Sequence, residues 1–402
     1  MKKKKWIKKR HEIITKIAYY ILYPYVKLKY NVDITRYKEN QQKQYLVLYN
    51  HQTAFDQFFV GMALKKPVYY LASEDLFSKG FISDLLRFAV APIPIKKQTV
   101  DISAVKNCIL VAKEGGTIAI ATEGNRTYSG KTEYMNPAIA SLAKKMGLPI
   151  MLFRIEGGYG VHPRWSDKVR KGKMKAYVYK VVEPQEYKNL STEELFAIIK
   201  QGLTVEENNR EKIYKHKELA QYLERAIYVC KDCGLSTFKS DKDTFKCAQC
   251  GKTYKYCEDT HIEGVGFKSE FNFVNDWYEY QKDFINSCDF TNENNVLYEE
   301  KIKLSKVNLN KNKEEVIKDG TIKLYGFKAE IFENDVLQFA FDFDNTDAIT
   351  VLGKNILNVY FEDNVYQVQG LFKGFNALKY VHLFNRYKNI KRGEADVKFL
   401  GL

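Results

Sequence analysis

Apolar and polar positions change their rhythm twice along the chain. In the first half, short apolar, β-prone runs such as Tyr45-Leu46-Val47-Leu48-Tyr49 and Gly116-Thr117-Ile118-Ala119-Ile120-Ala121 precede stretches of helical spacing. Phe55 to Leu64 reads as an amphipathic helix, giving strand, turn and helix start around residue 50. Ser191-Thr192-Glu193-Glu194 is a capping box opening a helix with Leu195, Ile198, Ile199 and Leu203 on one face. Glu206 to Arg225 is charge-rich and helical in composition, which predicts a linker helix. After Gly264 the period shortens. Val296 to Gly370 holds alternating runs such as Leu337, Phe339, Phe341 and Phe343, with turn signals at Asp319-Gly320, Asp344-Asn345 and Asp363-Asn364. Phe375, Leu378, Val381 and Phe384, three residues apart, predict a closing helix.

With 402 residues the chain suits two or three domains. A hydrophobic content of 45% excludes wholesale disorder. The net charge of +15 and a pI near 9.1 call for an anionic partner, phospholipid or nucleic acid. The position of the charge favours lipid. Lys2, Lys3, Lys4, Lys5, Lys8, Lys9 and Arg10 surround Trp6, and Ile13 to Tyr30 follows with aliphatic residues and tyrosines, which suits an anionic bilayer surface. The uninterrupted apolar run from Ile17 to Val26 is ten residues and contains Pro24. That falls short of the ~20 needed to span a bilayer, so the expectation is a monotopic anchor at the cytoplasmic face of the membrane. Lys16 and the lack of a small-residue cleavage site disfavour a signal peptide.

Two constellations carry chemistry. Cys230-Lys231-Asp232-Cys233 and Cys247-Ala248-Gln249-Cys250, thirteen residues apart, have the spacing of a zinc ribbon. Gly234 and Gly251 stand where each knuckle turns back on the metal. With four thiolates and no open position, the expected zinc is structural, and a ribbon this small should depend on it for folding. Cys108, Cys257 and Cys288 are unpaired by pattern, which points to a reducing compartment.

The other constellation is His51 with Asp56, followed by Glu123-Gly124-Asn125-Arg126-Thr127. A neutral imidazole can take the proton of an attacking alcohol, and a carboxylate on the far ring nitrogen fixes its tautomer. A five-residue separation puts the two side chains about 140° apart on a continuous helix of ~3.6 residues per turn, so His51 belongs in the turn before a helix and Asp56 in its first turn. Arg126 suits bidentate recognition of phosphate, Gly124 close backbone approach, and Lys96 and Lys97 added positive charge.

Asn50, His51 and Asp56, with Thr53 where a serine is usual, resemble the first motif of the 1-acylglycerol-3-phosphate and related lysophospholipid acyltransferases. Glu123, Gly124, Arg126 and Thr127 resemble the third, with Thr122 and Asn125 departing from it. Pro94-Ile95-Lys96-Lys97 and Leu148-Pro149-Ile150 are loose matches to the second and fourth. The resemblance covers residues 10 to 205. It implies an α/β acyltransferase domain with a mixed, largely parallel sheet flanked by helices, to which a zinc ribbon and a β-rich C-terminal domain are appended. It also implies an acyl donor, acyl-CoA or an acyl carrier protein thioester, and catalysis by His51 and Asp56. In the family the glutamate of the third motif helps to hold the acceptor. At Glu123 that role stands beside orientation of Arg126.

The expected organisation is an anchoring segment at 1–30, the acyltransferase domain at 31–205, a linker helix at 206–226, the ribbon at 227–260 and a β-rich accessory domain at 261–402. The strand-then-helix order of the last is similar, in order alone, to a pleckstrin-homology barrel. The expected reaction acylates the free hydroxyl of a lysophospholipid, 1-acylglycerol-3-phosphate being the first choice, to give phosphatidate. The alternative is a membrane-associated adaptor whose ribbon binds protein or nucleic acid. The basic run lies at the far end of the chain from the ribbon, which argues against nucleic acid.

Overall fold

The computed structural model describes residues 5–40, 43–73, 76, 81–95, 101–208, 210–307 and 314–394. The chain divides into two compact units. The first runs to Pro163 and takes up again over Val169–Tyr214, and the second holds Arg164–Lys168 and continues from Lys215.

The first unit contains, in order, α1 (Lys9–Tyr30), β1 (Val32–Ile34), β2 (Leu46–Tyr49), α2 (Asp56–Ala63), β3 (Val68–Ser73), α3 (Phe81–Ala89), β4 (Ile93–Ile95), α4 (Ile102–Lys113), β5 (Thr117–Ala121), α5 (Ala138–Met146), β6 (Ile150–Glu156), α6 (Gly158–Val161), β7 (Met174–Val182), α7 (Pro184–Tyr187) and α8 (Thr192–Leu203). Its sheet has the order β1-β7-β6-β2-β5-β3-β4. All pairs are parallel except β6 with β7, so the sheet is mixed and largely parallel.

Alternate residues of the central strands feed two separate cores. Val47, Tyr49, Ala119, Met151 and Phe153 pack with α1 and α2 through Val26, Tyr30, Phe59 and Val60. Leu46, Leu48, Ile118, Ile120, Ile150 and Leu152 pack with α4, α5 and α8 through Val111, Ala140, Leu195 and Ile199. A strand covered on both faces reads as a continuous apolar run, which is why β2 and β5 lack polar alternation. The capping box of α8 is present at Ser191 and Glu194.

The expected linker helix is corrected. Among the described residues of 206–226 there is no α-helix, only a 3-10 turn at Leu223–Arg225. The segment is instead held by tertiary contacts. Glu206 bridges Lys131, Glu207 is buried, and the ring of Tyr214 fills the space over Gly160 and Gly172. The first unit therefore extends to Tyr214 rather than 205.

The second unit contains β8 (Val229–Cys230), β9 (Gly234–Leu235), β10 (Phe238–Asp241), β11 (Thr244–Cys247), β12 (Thr253–Tyr256), β13 (Ile262–Gly264), α9 (Val274–Ser287), β14 (Tyr298–Val307), β15 (Glu314–Leu324), β16 (Lys328–Glu333), β17 (Val336–Asp342), β18 (Thr346–Leu352), β19 (Ile356–Phe361), β20 (Asn364–Gly370) and α10 (Leu378–Lys391). β10 to β13 form an antiparallel sheet in sequence order, so the ribbon's sheet runs past residue 260. Trp277 of α9 lies against Phe238, Phe245, Tyr254 and Phe271 with ring centroids 4.7–5.6 Å apart, and its indole N–H donates to the Val229 carbonyl at 2.7 Å. This aromatic core, supplied by a helix that follows the ribbon in sequence, adds apolar packing to a ribbon that its size alone suggested had little.

The remaining strands form a seven-stranded antiparallel sheet in the order β17-β16-β15-β14-β20-β19-β18, against which α10 packs through Phe384 and Tyr387 on Phe343. Two of the three turn signals are turns. Glu362 and Asp363 both have positive φ between β19 and β20, as a two-residue hairpin requires. Asp319-Gly320 instead lies inside β15, beside a register shift opposite Ile302 to Leu304, so the local signal marks a bulge.

Candidate active site and metal centre

Three neighbouring parallel strands, β6, β2 and β5, deliver the site from their C-terminal ends. Tyr49 is in register with Ala121 on one side and Phe153 on the other, so His51 and Glu123, each two residues further on, leave the sheet at one level. Asn50 extends the ladder with its side chain, donating to the Ile155 carbonyl and accepting from the Ile155 N–H, both at 2.8 Å.

His51 lies in the turn before α2, and Asp56 is the first residue of that helix. His51 Nδ1 is 2.8 Å from Asp56 Oδ2. The carboxylate is fully buried while the imidazole keeps 19% exposure, so the ring is reachable and its orienting group is not. Asp56 also accepts from the backbone N–H of Gln52 at 2.6 Å, from the N–H of Thr53 at 2.9 Å, and from the Thr53 hydroxyl at 2.6 Å. A buried carboxylate demands such donors, and here they are supplied by the loop that carries the histidine.

Glu123 ties the third motif to the first. Its Oε1 accepts from the His51 backbone N–H and its Oε2 from the Glu133 N–H, both at 2.7 Å. The Thr127 N–H in turn donates to the His51 carbonyl at 3.1 Å. Burial pushes the Glu123 carboxyl up to about 8, against the pull of those two backbone donors. Gly124 has φ of +66°, is exposed, and has no atom within 4 Å of where a Cβ would stand, so its backbone is open to a ligand. Arg126 is half-buried on the same loop. Its guanidinium and the Asp56 carboxylate both act on Tyr30, whose hydroxyl burial pushes far up. Lys96 and Lys97 lie outside the described residues.

Sequence reasoning missed the support behind the loop. Gln52 donates to Glu207 at 3.1 Å and accepts from the Tyr159 N–H at 3.2 Å, and Glu207 also accepts from the Gly157 N–H. Lys212 pairs with the same carboxylate at 3.2 Å. Gln52 and Glu207 are separated by 155 residues, and no local pattern links them.

In the second unit the two knuckles converge as their spacing predicts. The ligand atoms of Cys230, Cys233, Cys247 and Cys250 lie within 4.8 Å of one another. A tetrahedral zinc with bonds of about 2.3 Å to sulfur sets its sulfurs about 3.8 Å apart, and the Cys230 and Cys250 sulfurs are separated by 3.8 Å. Gly234 and Gly251 both have positive φ, +72° and +74°, where each knuckle turns back. The four thiols therefore fit a zinc ion.

A reachable histidine hydrogen-bonded to a buried carboxylate stands at the carboxyl ends of parallel strands, an arrangement that suits an α/β enzyme domain. Residues 31–155, the stretch that holds His51, Asp56 and Glu123, match the family model described as Acyltransferase. No curated protein matches the chain. Among solved structures, the chain is similar to the 1-acyl-sn-glycerophosphate (LPA) acyltransferase PlsC from Thermotoga maritima, at 20% identity over 48% of this chain and 77% of that one, with a TM-score of 0.37. It is also similar to the N-terminal PH domain of the human protein ARAP2, at 7% identity over 23% of this chain and 80% of that one, with a TM-score of 0.20.

Proposed function

We propose that the first unit transfers a fatty acyl group from an acyl-CoA or acyl carrier protein thioester to the free hydroxyl of a lysophospholipid, 1-acylglycerol-3-phosphate in the first instance, giving phosphatidate. The observation that carries this reading is the 2.8 Å contact between the reachable His51 ring and the buried Asp56, with Glu123 of the other motif bonded to the His51 backbone. His51 accepts the hydroxyl proton as the oxygen attacks the thioester carbonyl. The tetrahedral adduct then collapses, the carbon–sulfur bond breaks, and the thiolate takes the proton from the imidazolium. No acyl-enzyme is formed. Arg126 and the open backbone at Gly124 receive the acceptor phosphate, with Lys96 and Lys97 adding charge.

The acceptor enters from a membrane surface. Ile13, Ile17, Tyr20, Ile21 and Leu28 recur at helical spacing and are 55–90% exposed on α1, as are Phe81, Leu85 and Phe88 on α3 at 52–81%. Arg10 joins the two helices, its guanidinium 4.0 Å from the Phe88 ring. No helix among the described residues is long and apolar enough to cross a membrane. An apolar face beside the basic N-terminal run suits a peripheral position on anionic lipid at the cytoplasmic side. The four cysteines hold a structural zinc.

The test is phosphatidate formation on anionic liposomes containing lysophosphatidate, with the two thioester donors supplied separately. His51→Ala should lower the rate on the order of 10²–10⁴-fold with the fold intact. A wild-type chain inactive on every lysolipid and donor would leave the adaptor reading standing.

A further inference from the structure

The turn between β12 and β13 carries a second set of metal-binding side chains at the far end of β12 from the four-cysteine knuckles. Ligand atoms of Cys257, Asp259 and His261 lie within 4.8 Å of one another. Glu263 stands beside the group, with its carboxylate 2.8 Å from His261 Nε2 and near enough to the Cys257 thiol to push its proton affinity up. Asp259 takes the other ring nitrogen, 2.7 Å from Nδ1. His261 is only 12% exposed and Asp259 14%.

The backbone that presents these groups is fixed. The Thr260 N–H donates to the Cys257 carbonyl at 3.0 Å and the Cys257 N–H to the His261 carbonyl at 2.9 Å. Thr260 sits at φ +70°, a conformation a β-branched residue rarely takes, and its buried hydroxyl has no hydrogen-bond partner among the described residues. His261 is further anchored by a bridge to Phe273.

The imidazole poses a problem of proton count. A neutral ring has one N–H and one lone pair, so it can donate to one of its two carboxylates but must turn a lone pair toward the other. Either a second proton or a metal ion at that nitrogen resolves the conflict. The Cys257 thiol within 4.8 Å of the ligand atoms of Asp259 and His261 favours the metal, because the mixed sulfur, nitrogen and oxygen donor set is that of zinc. We propose that Cys257, His261 and the carboxylates of Asp259 and Glu263 form a second zinc site, separate from the four-cysteine centre. Whichever ring nitrogen binds the ion, the carboxylate on the other nitrogen stays as its orienting acceptor. On binding, the thiol proton is released to solvent and the sulfur coordinates as thiolate.

The test is metal stoichiometry on the full chain, purified and titrated with Zn²⁺, then with Co²⁺ to read the thiolate-to-cobalt absorption band. Cys257→Ser and His261→Ala should each lose one equivalent relative to the wild type, while Cys233→Ser loses a different one and the losses add in the double variant. Glu263→Gln, the mildest change, should weaken the second equivalent about 10–100-fold and serves where the others fail to fold, with the near-ultraviolet signal of the Trp277 cluster as the check. Stoichiometry and affinity unchanged in folded Cys257, His261 and Glu263 variants would overturn the proposal and leave a doubly protonated imidazolium between the carboxylates.

Discussion

Replacing Asp56 by asparagine separates what its charge does from what its shape does. The Oδ2 position faces His51 Nδ1 and the backbone N–H groups of Gln52 and Thr53, all donors, whereas Oδ1 meets the Thr53 hydroxyl and, at 3.0 Å, the Thr53 N–H again. An asparagine at 56 is therefore steered to place its oxygen at the Oδ2 position and its amide nitrogen toward the hydroxyl, which can turn round and accept. His51 keeps its tautomer, and only the negative charge opposite the growing imidazolium is lost. A hydrogen bond to a charged group is worth about 1.5–3 kcal/mol, and about 1.4 kcal/mol is tenfold in rate, so kcat should fall by roughly 10- to 100-fold. A flipped tautomer would cost nearer 10⁴. Asp56→Ala behaves differently, because it strands several buried donors at about 1–3 kcal/mol each, a large share of the ~5–15 kcal/mol that holds a domain together. Thioester consumption on lysophosphatidate vesicles gives kcat, and thermal melting gives the fold. The reasoning is refuted by an asparagine variant that turns over like the wild type, or by one that melts as early as the alanine variant.

Glu123 predicts a pH dependence of stability. Its carboxyl, ordinarily near 4.5, is pushed up to about 8 in the fold, so its contribution is fully present below about pH 4.5 and is lost as pH rises through 8. Melting temperature should fall across that window, and Glu123→Gln should flatten the fall; an unchanged profile in the glutamine variant refutes the assignment. Ile17→Asp with Phe81→Asp should weaken sedimentation with anionic vesicles severalfold or more while turnover of a monomeric short-chain lysolipid is kept, and equal binding would remove α1 and α3 from the membrane face. Chelation of zinc should open the knuckles to proteolysis near Cys233 and Cys250 while the Trp277 near-ultraviolet signal persists; loss of both together would mean that the aromatic core depends on the metal.

The sequence made the loop of His51 and Asp56 legible because its logic is local. A strand, a turn and a helix start are each written in adjacent residues, and the five-residue spacing of His51 and Asp56 already requires the turn that is found. The ribbon's knuckles were legible for the same reason. What stayed hidden depends on partners far along the chain. The segment after α8 has the composition of a helix, but Glu207 is buried on Gln52 and Gly157, and Tyr214 fills the space over two glycines, contacts that no window of neighbouring residues contains. The ribbon's aromatic core was misjudged because Trp277 follows it. Asp319-Gly320 carries turn chemistry that pairing with β14 and β16 overrides, leaving a bulge.

The distribution of these hidden contacts bears on how the site works. Around His51 the backbone N–H is held by Glu123, the carbonyl by Thr127, the preceding residue by β6 and the following one by Glu207. The tethers come from three separate stretches of chain, the loop of Glu123 and Thr127, β6 and the segment of Glu207, so the His51 backbone is held against the movement of any one of them. In the proposed reaction, a base fixed in this way leaves little reorganisation to the moment of proton transfer, which is where positioning contributes most to rate. The same arrangement limits where specificity can reside. With the base held rigidly below, discrimination between acceptors falls to the exposed rim, to Gly124 and Arg126, and substitutions there should alter KM and acceptor preference before they alter the chemical step.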